Sequence, residues 1–374
     1  MIRVLADASA AFDQGAGVGR YSRNILDRLI PLTPTFRWTL FHAGGSGDPM
    51  WDAPNGARTV AYPLSRRRMD QLGSRLGLPL PVRPFTFKQD VVYSPDFVAP
   101  PLSRTERIVT IHDLAFLTHP HLTTPGNVEF LTAAVRREVR LGSYFATVSA
   151  ATRDRVIELL GVESERLRVV RNGVDRRFLE ATPLPPGRLD ELGVPREFLL
   201  MVGTIEPRKN HAGVLRAIER HPDGLPLVIV GRAGWATSDV VEGIRGLSAA
   251  GRLVWLDDFG DRELPGLYAA SRGVLYPSWT EGFGLPALEA LATGRPVVTG
   301  SDAVFREVAG SIAHIVDPGD DDALLEAIRA IEVLEEGDEA ANTRRQHAAQ
   351  YGWDQPVTVL REWIQDIAGV SDER

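Results

Sequence analysis

The chain has 374 residues, of which 44% are hydrophobic and 24% charged, with a net charge of −7 and no cysteine. Its length exceeds one ordinary core and suits two domains. The acidic balance gives no electrostatic footprint for nucleic acid. Zero cysteines exclude disulfides, thiolate metal ligands and a cysteine nucleophile. No apolar run approaches the ~20 residues that cross a bilayer. MIRVLADAS enters a strand pattern directly, without a signal-peptide apolar region, so a cytoplasmic protein is expected.

Short apolar runs alternate with amphipathic helix-length segments along the chain, the pattern of parallel α/β sheets. Strands are predicted at Ile2–Ala8, Trp38–His42, Val91–Ser94, Ile108–His112, Phe145–Ser149 and Leu167–Arg171. A second series follows at Phe198–Gly203, Leu227–Gly231, Leu253–Leu256, Gly273–Pro277, Pro296–Thr299 and Ala313–Val316. Between them EATPLPPGR, Glu180–Arg188, reads as a proline-rich linker. The chain is helical beyond about Glu335, with Trp353 and Trp363 as expected anchors. The fold class is α/β, with doubly wound domains at 1–180 and 189–350 and a terminal helix at 351–374. Such sheets bind ligands at the carboxyl ends of their strands, so the site is expected in a cleft between the two domains.

The most informative segment is EGFGLPALEALATGRPVV, Glu281–Val298. Gly282 and Gly284 let backbone approach a ligand, and Pro286 suits the first turn of a helix. A helix opening there would leave the N–H groups of Phe283, Gly284 and Leu285 unpaired, an anion site completed by the helix dipole. Glu281 then lies in the loop before that site and Glu289 in the first turn behind it. Each carboxylate can accept from two neighbouring hydroxyls. Two diols flanking a phosphate outline a nucleotide sugar. The alternative is a surface loop and helix with two solvated glutamates.

This block resembles the E-x7-E signature of retaining GT-B glycosyltransferases, in particular glycosyltransferase family 4. VSAATRDRVIELLGVESERLRVVRNGVD (Val148–Asp175) and VGTIEPRKN (Val202–Asn210) also match family segments, so the resemblance spans nearly the whole chain. It implies two Rossmann-like domains facing a cleft, with terminal helices crossing back to the first. It further implies that Glu281 contacts the transferred sugar, that Glu289 holds the nucleotide ribose, and that the intervening backbone touches sugar and phosphate. Reaction on one face of the sugar is implied, the leaving phosphate helping to deprotonate the acceptor.

Arg208 and Lys209 follow the strand ending near Gly203, where cations would offset the charge of a departing nucleoside diphosphate. The family often has Arg directly after the strand glycine. Here Thr204 stands there, which shifts phosphate binding onto Arg208 and Lys209. Gly15, Gly17 and Gly19 lie in QGAGVGRYSRNIL, after the first strand, and do not have dinucleotide-binder spacing. The resemblance turns that loop toward donor phosphates and acceptor, with Gly17 and Gly19 as the expected contacts. A histidine at a strand end is more often structural. The resemblance instead brings His112 to the donor sugar or reacting centre, with Asp113 to orient it. Phe259 falls where the family holds the nucleobase, although Asp257 replaces a usual glycine. Core packing is the other reading of that ring.

Ser65–Lys88 carries Arg66, Arg67, Arg68, Arg75, Arg83 and Lys88 against Asp70. It reads as a solvated loop or as a contact with an anionic membrane or phosphorylated acceptor. Asp317, Asp320, Asp321 and Asp322 are expected to cap the helix that follows rather than hold a metal. The expected enzyme transfers a sugar from a nucleoside diphosphate sugar to a carbohydrate or lipid-linked hydroxyl, without metal or other cofactor. EPRKN and IHDLAF are most similar to bacterial mannosyl- and rhamnosyltransferases of surface polysaccharide synthesis, and GDP-mannose is the first-choice donor. A nucleotide-sugar epimerase and a non-catalytic nucleotide-sugar-binding subunit are the rival readings.

Overall fold

The structure is a computed structural model that describes residues 1–15, 17–44, 50–64, 89–100, 105–235, 237–334 and 337–369. The basic segment Ser65–Lys88, with its arginines, lies outside the described residues. The chain divides into two compact units. The first comprises Met1–Leu114, Glu129–Asn172 and Trp353–Arg374, and the second Ala115–Val128 and Gly173–Gly352.

The first unit is built on a seven-stranded parallel sheet in the order β3-β2-β1-β4-β5-β6-β7. Its strands are β1 (Arg3–Asp7), β2 (Arg37–Ala43), β3 (Ala57–Tyr62), β4 (Val91–Ser94), β5 (Glu106–Ile111), β6 (Tyr144–Thr147) and β7 (Leu167–Val169). Strands β1 and β4 lie at the sheet's centre and are buried almost throughout, as a sheet covered on both faces requires. Strand β3 is absent from the expected series. It is an edge strand in which only Val60 is buried, so ARTVAY carries no continuous apolar run. The closing helix Asp354–Ile367 belongs to this unit, with Trp353 and Trp363 both buried. Trp363 meets Tyr144 edge-on.

The second unit has a six-stranded parallel sheet in the order β10-β9-β8-β11-β12-β13. These strands are β8 (Leu199–Val202), β9 (Leu227–Val230), β10 (Leu253–Leu256), β11 (Gly273–Tyr276), β12 (Val297–Thr299) and β13 (His314–Ile315). A core of Leu199, Met201, Val214, Ile218, Leu275, Leu324 and Ile328 joins the sheet to helices His211–Glu219 and Asp321–Glu332. In both units strand order reverses beside the first strand, β1 or β8, which creates the crevice where such sheets receive ligands. The proline-rich stretch lies inside the second unit, because the division falls earlier, at Asn172–Gly173. There Leu184 donates its backbone N–H to the Gly266 carbonyl.

Asp320 caps the helix Asp321–Glu332 by accepting from the N–H groups of Asp322 and Ala323. Asp321 pairs with Arg216, Asp322 pairs with Arg220, and Asp317 accepts from the Gly319 N–H. The four aspartates are thus accounted for by capping, turn formation and ion pairs. Among the described residues no helix is long and apolar enough to cross a membrane.

Candidate active site

In the second unit the carboxyl ends of β8 and β11 bring the EPRKN and EGFG segments together. Gly203, after β8, has φ 137°, and a side chain there would begin 2.9 Å from Cε of Lys209. Glycine therefore leaves the space through which the lysine stem passes. The chain then makes a short 3-10 turn at Pro207–Lys209 and reaches Asn210, whose φ is 58°. Asn210 tolerates this left-handed conformation better than most residues. Its side chain accepts from the Gly213 N–H at the start of helix His211–Glu219 and donates to the Pro318 carbonyl. The loop is consequently fixed at its carboxyl end.

The cations presented by this loop are not solvated. Arg208 Nη1 lies 2.5 Å from Glu281 Oε2, and its Nη2 lies 2.6 Å from Glu206 Oε1. Arg208 also donates to the Thr280 carbonyl. Lys209 Nζ is 3.6 Å from Glu281 Oε1 and donates to the Tyr276 hydroxyl at 2.9 Å. Tyr276 in turn donates to Glu281 Oε1 at 2.6 Å, and the lysine ammonium lies 4.8 Å from that ring's centroid. The Glu281 backbone N–H donates to Asp302, which also caps helix Ala303–Val308. Two carboxylates and two cations therefore form one cluster. Arg208 and Lys209, the cations expected to meet the phosphates, are thus both paired with Glu281.

Burial pushes the Glu281 carboxyl up. The charges of Arg208 and Lys209 and the hydrogen bonds from Tyr276 and Arg208 outweigh it and hold Glu281 at about 2. Glu281 is only 7% exposed yet ionised at neutral pH. It is a fixed, charged acceptor of the kind that orients hydroxyl groups. Burial and the neighbouring Glu281 carboxylate raise the Tyr276 phenol well above its ordinary value, so it stays a neutral donor.

Helix Leu285–Ala292 opens from Gly284, whose φ is 86°. A side chain at Gly284 would meet the Phe305 ring at 2.9 Å. No described residue accepts from the N–H groups of Phe283, Gly284 or Leu285, which makes this terminus a donor site for anions. Phe283 is itself buried, edge-on to Tyr351. Glu289 lies just beyond the first turn of this helix rather than within it. It is 1% exposed and accepts from the Tyr268 hydroxyl at 2.9 Å. The reading of two solvated glutamates fails for both. Phe259 lies in the loop after β10 and is half-buried, so it is not a core ring.

In the first unit His112 lies just beyond β5. Its Nε2 is 2.8 Å from the Pro95 carbonyl, and its ring stands edge-on to Tyr21 and Phe97. A carbonyl only accepts, so Nε2 carries the proton and Nδ1 the lone pair. Burial lowers the pKa of His112 against the opposing charges of Asp96 and Asp113, keeping it neutral. Gly17 begins helix Gly17–Leu32 with open space around its Cα. Gly19 has a structural duty, since a side chain there would lie 1.9 Å from the Gln14 carbonyl oxygen.

Sequence reasoning missed Glu206, Tyr276, Tyr268 and Asp302. Asp302 carried a signal, an acidic residue just before a short helix. The two tyrosines carried none, because a strand or helix tyrosine reads as core until its hydroxyl partner is seen.

Comparison with known proteins shows the family. Residues 16–178 match the family described as Glycosyltransferase Family 4, and residues 191–350 match Glycosyl transferases group 1. The chain is 30% identical over 325 residues to O-antigen chain mannosyltransferase B of Escherichia coli, covering 82% of this chain and 84% of that protein. It is 27% identical over 266 residues to O-antigen chain mannosyltransferase RfbU of Salmonella typhimurium, covering 71% and 70%. Sucrose-phosphate synthase from Thermosynechococcus elongatus shares the fold with a TM-score of 0.74 at 17% identity, over 99% of this chain and 100% of that one. Anabaena HepE, in complex with UDP and glucose, superposes with a TM-score of 0.73 at 20% identity, over 98% and 100%. Both likenesses speak for the fold, the paired α/β units of the GT-B class. With two family matches along its length and a mannosyltransferase relative spanning most of it, this chain belongs to glycosyltransferase family 4 and is a glycosyltransferase.

Proposed function

We propose that the enzyme moves mannose from GDP-mannose to a hydroxyl of a carbohydrate or lipid-linked acceptor, with retention of configuration and without a metal ion, in the synthesis of a bacterial surface polysaccharide at the cytoplasmic side. The sugar and pathway rest on the relatives named as O-antigen chain mannosyltransferases. The mechanism rests on one observation, the ionised Glu281 held among Arg208, Lys209 and Tyr276 beside the open amino end of helix Leu285–Ala292.

In this reading Glu281 orients the transferred sugar through its hydroxyls and Glu289 holds the ribose. The free N–H groups near Gly284 receive the diphosphate. As the glycosidic bond breaks, negative charge gathers on that diphosphate, and Arg208 and Lys209 turn part of their attraction from Glu281 toward it. The cluster thus supplies charge compensation without a divalent ion. Phe259 flanks the base, Gly17 leaves its backbone open to a phosphate, and neutral His112 offers Nδ1 to a sugar hydroxyl.

A thermal-shift panel of GDP, UDP, dTDP and ADP sugars, followed by proton NMR of the product, tests the reading. Stabilisation by GDP-mannose, activity in excess EDTA and a product anomer matching the donor are expected. An inverted anomer, or activity lost to chelation and restored by Mg²⁺, overturns the mechanism. Donor isomerised without acceptor would identify an epimerase instead.

A further inference from the structure

Tyr276, the last residue of β11, contacts both Lys209 and Glu281, and the reading above gives it no task beyond helping to hold that carboxylate. It is 1% exposed, and its hydroxyl stands between the Lys209 ammonium at 2.9 Å and Glu281 Oε1 at 2.6 Å. An ammonium only donates and a carboxylate only accepts. The phenol therefore receives from Lys209 and gives its own proton to Glu281, in one permitted direction. Lys209 and Glu281 are left 3.6 Å apart, a looser pairing than the 2.5 Å between Arg208 and the other carboxylate oxygen. The ring is fixed by its edge contact with Phe305, the same ring that packs under Gly284.

We propose that Tyr276 is a positioning residue that occupies Oε1 of Glu281, so that Oε2 is the oxygen that exchanges Arg208 for a hydroxyl of the transferred sugar, and that it keeps Lys209 loosely enough held to turn to the diphosphate. The inference rests on the assignment of Glu281 and Lys209 to the donor. Arg208 can make the exchange at small cost, because the Glu206 carboxylate and the Thr280 carbonyl remain its acceptors. Among the described residues Lys209 has no acceptor of comparable strength besides this pair. A direct contact with Glu281 would bind it more firmly, since paired charges attract more strongly at shorter range. The tyrosine acts as a spacer of one hydroxyl.

The test is Tyr276→Phe, which keeps the ring, its contact with Phe305 and the cation–π contact with Lys209. Steady-state transfer is measured with the donor the wild-type enzyme uses. The expected result is a fall in kcat of about tenfold or more, the scale of one hydrogen bond to a charged group, with donor KM changed less than about threefold. A purely structural role would instead lower the melting temperature and the active fraction and leave kcat per folded molecule intact. Unchanged kcat, or loss carried by KM alone, overturns the proposal. The same substitution in a Glu281→Gln background separates the two levels of inference. If Tyr276 acts through the carboxylate, it adds less than about twofold there. A full additional loss in that background overturns the proposal. Wild-type turnover in Glu281→Gln alone would overturn the donor assignment itself.

Discussion

Replacing Glu281 by Gln keeps size and hydrogen-bonding capacity while removing the charge that balances Arg208 and Lys209. The carboxyl is held at about 2 against an ordinary value of 4.5. Linkage converts that depression into about 3 kcal/mol of folded-state stability at neutral pH. The sign follows from the direction of the shift. A depressed carboxyl contributes fully above its unfolded value and loses the contribution as pH falls toward its folded value. The contribution should be about 2 kcal/mol at about pH 3.5 and vanish below both values. Removing one member of a buried ionic cluster also strands its partners, a cost of the same order. For a domain of this size about 3 kcal/mol lowers the melting temperature by about 6–12 °C. Differential scanning calorimetry of wild type and Glu281→Gln across that pH range reads the effect. A melting temperature unchanged at neutral pH, or a gap that does not narrow on acidification, would refute the electrostatic account. Turnover should fall in the same variant.

Glu289→Ala should weaken free GDP and intact donor alike, by about 10- to 150-fold, because both share the ribose proposed to bind there; calorimetry showing unchanged GDP affinity removes that role. Lys209→Ala should lower turnover by about 10²–10³-fold, measured under saturating donor, and a loss under about threefold would discount it as charge compensation. Gly203→Ala should cost turnover as well, since a Cβ there would press on the Lys209 stem from a residue whose φ is 137°. Gly17→Ala has open space and should leave the melting temperature within a few degrees. A fall in its activity would then report a ligand passing that glycine.

Much of the fold was legible in the sequence. Continuous apolar runs such as LLMV and LVIV call for burial on both faces, as a parallel sheet covered by helices provides. EGFGLPALEA declared a helix start by its glycines and proline, and it is one. Strand β3 escaped notice because an edge strand needs only one face apolar. What only the tertiary structure decided is the state of the charges. Read linearly, Arg208, Lys209 and Glu281 are three charged residues on two loops, indistinguishable from solvated ones. Parallel pairing of β8 with β11 sets the loops after them side by side, and there each charge becomes another's counterion. Tyr276 is apolar by periodicity and polar by position. Its hydroxyl acquires meaning once Lys209 and Glu281, 67 residues away and 5 residues away along the chain, lie on either side of it. Charge pairing in a site is a property of distances across the sheet, and strand periodicity carries no information about those distances.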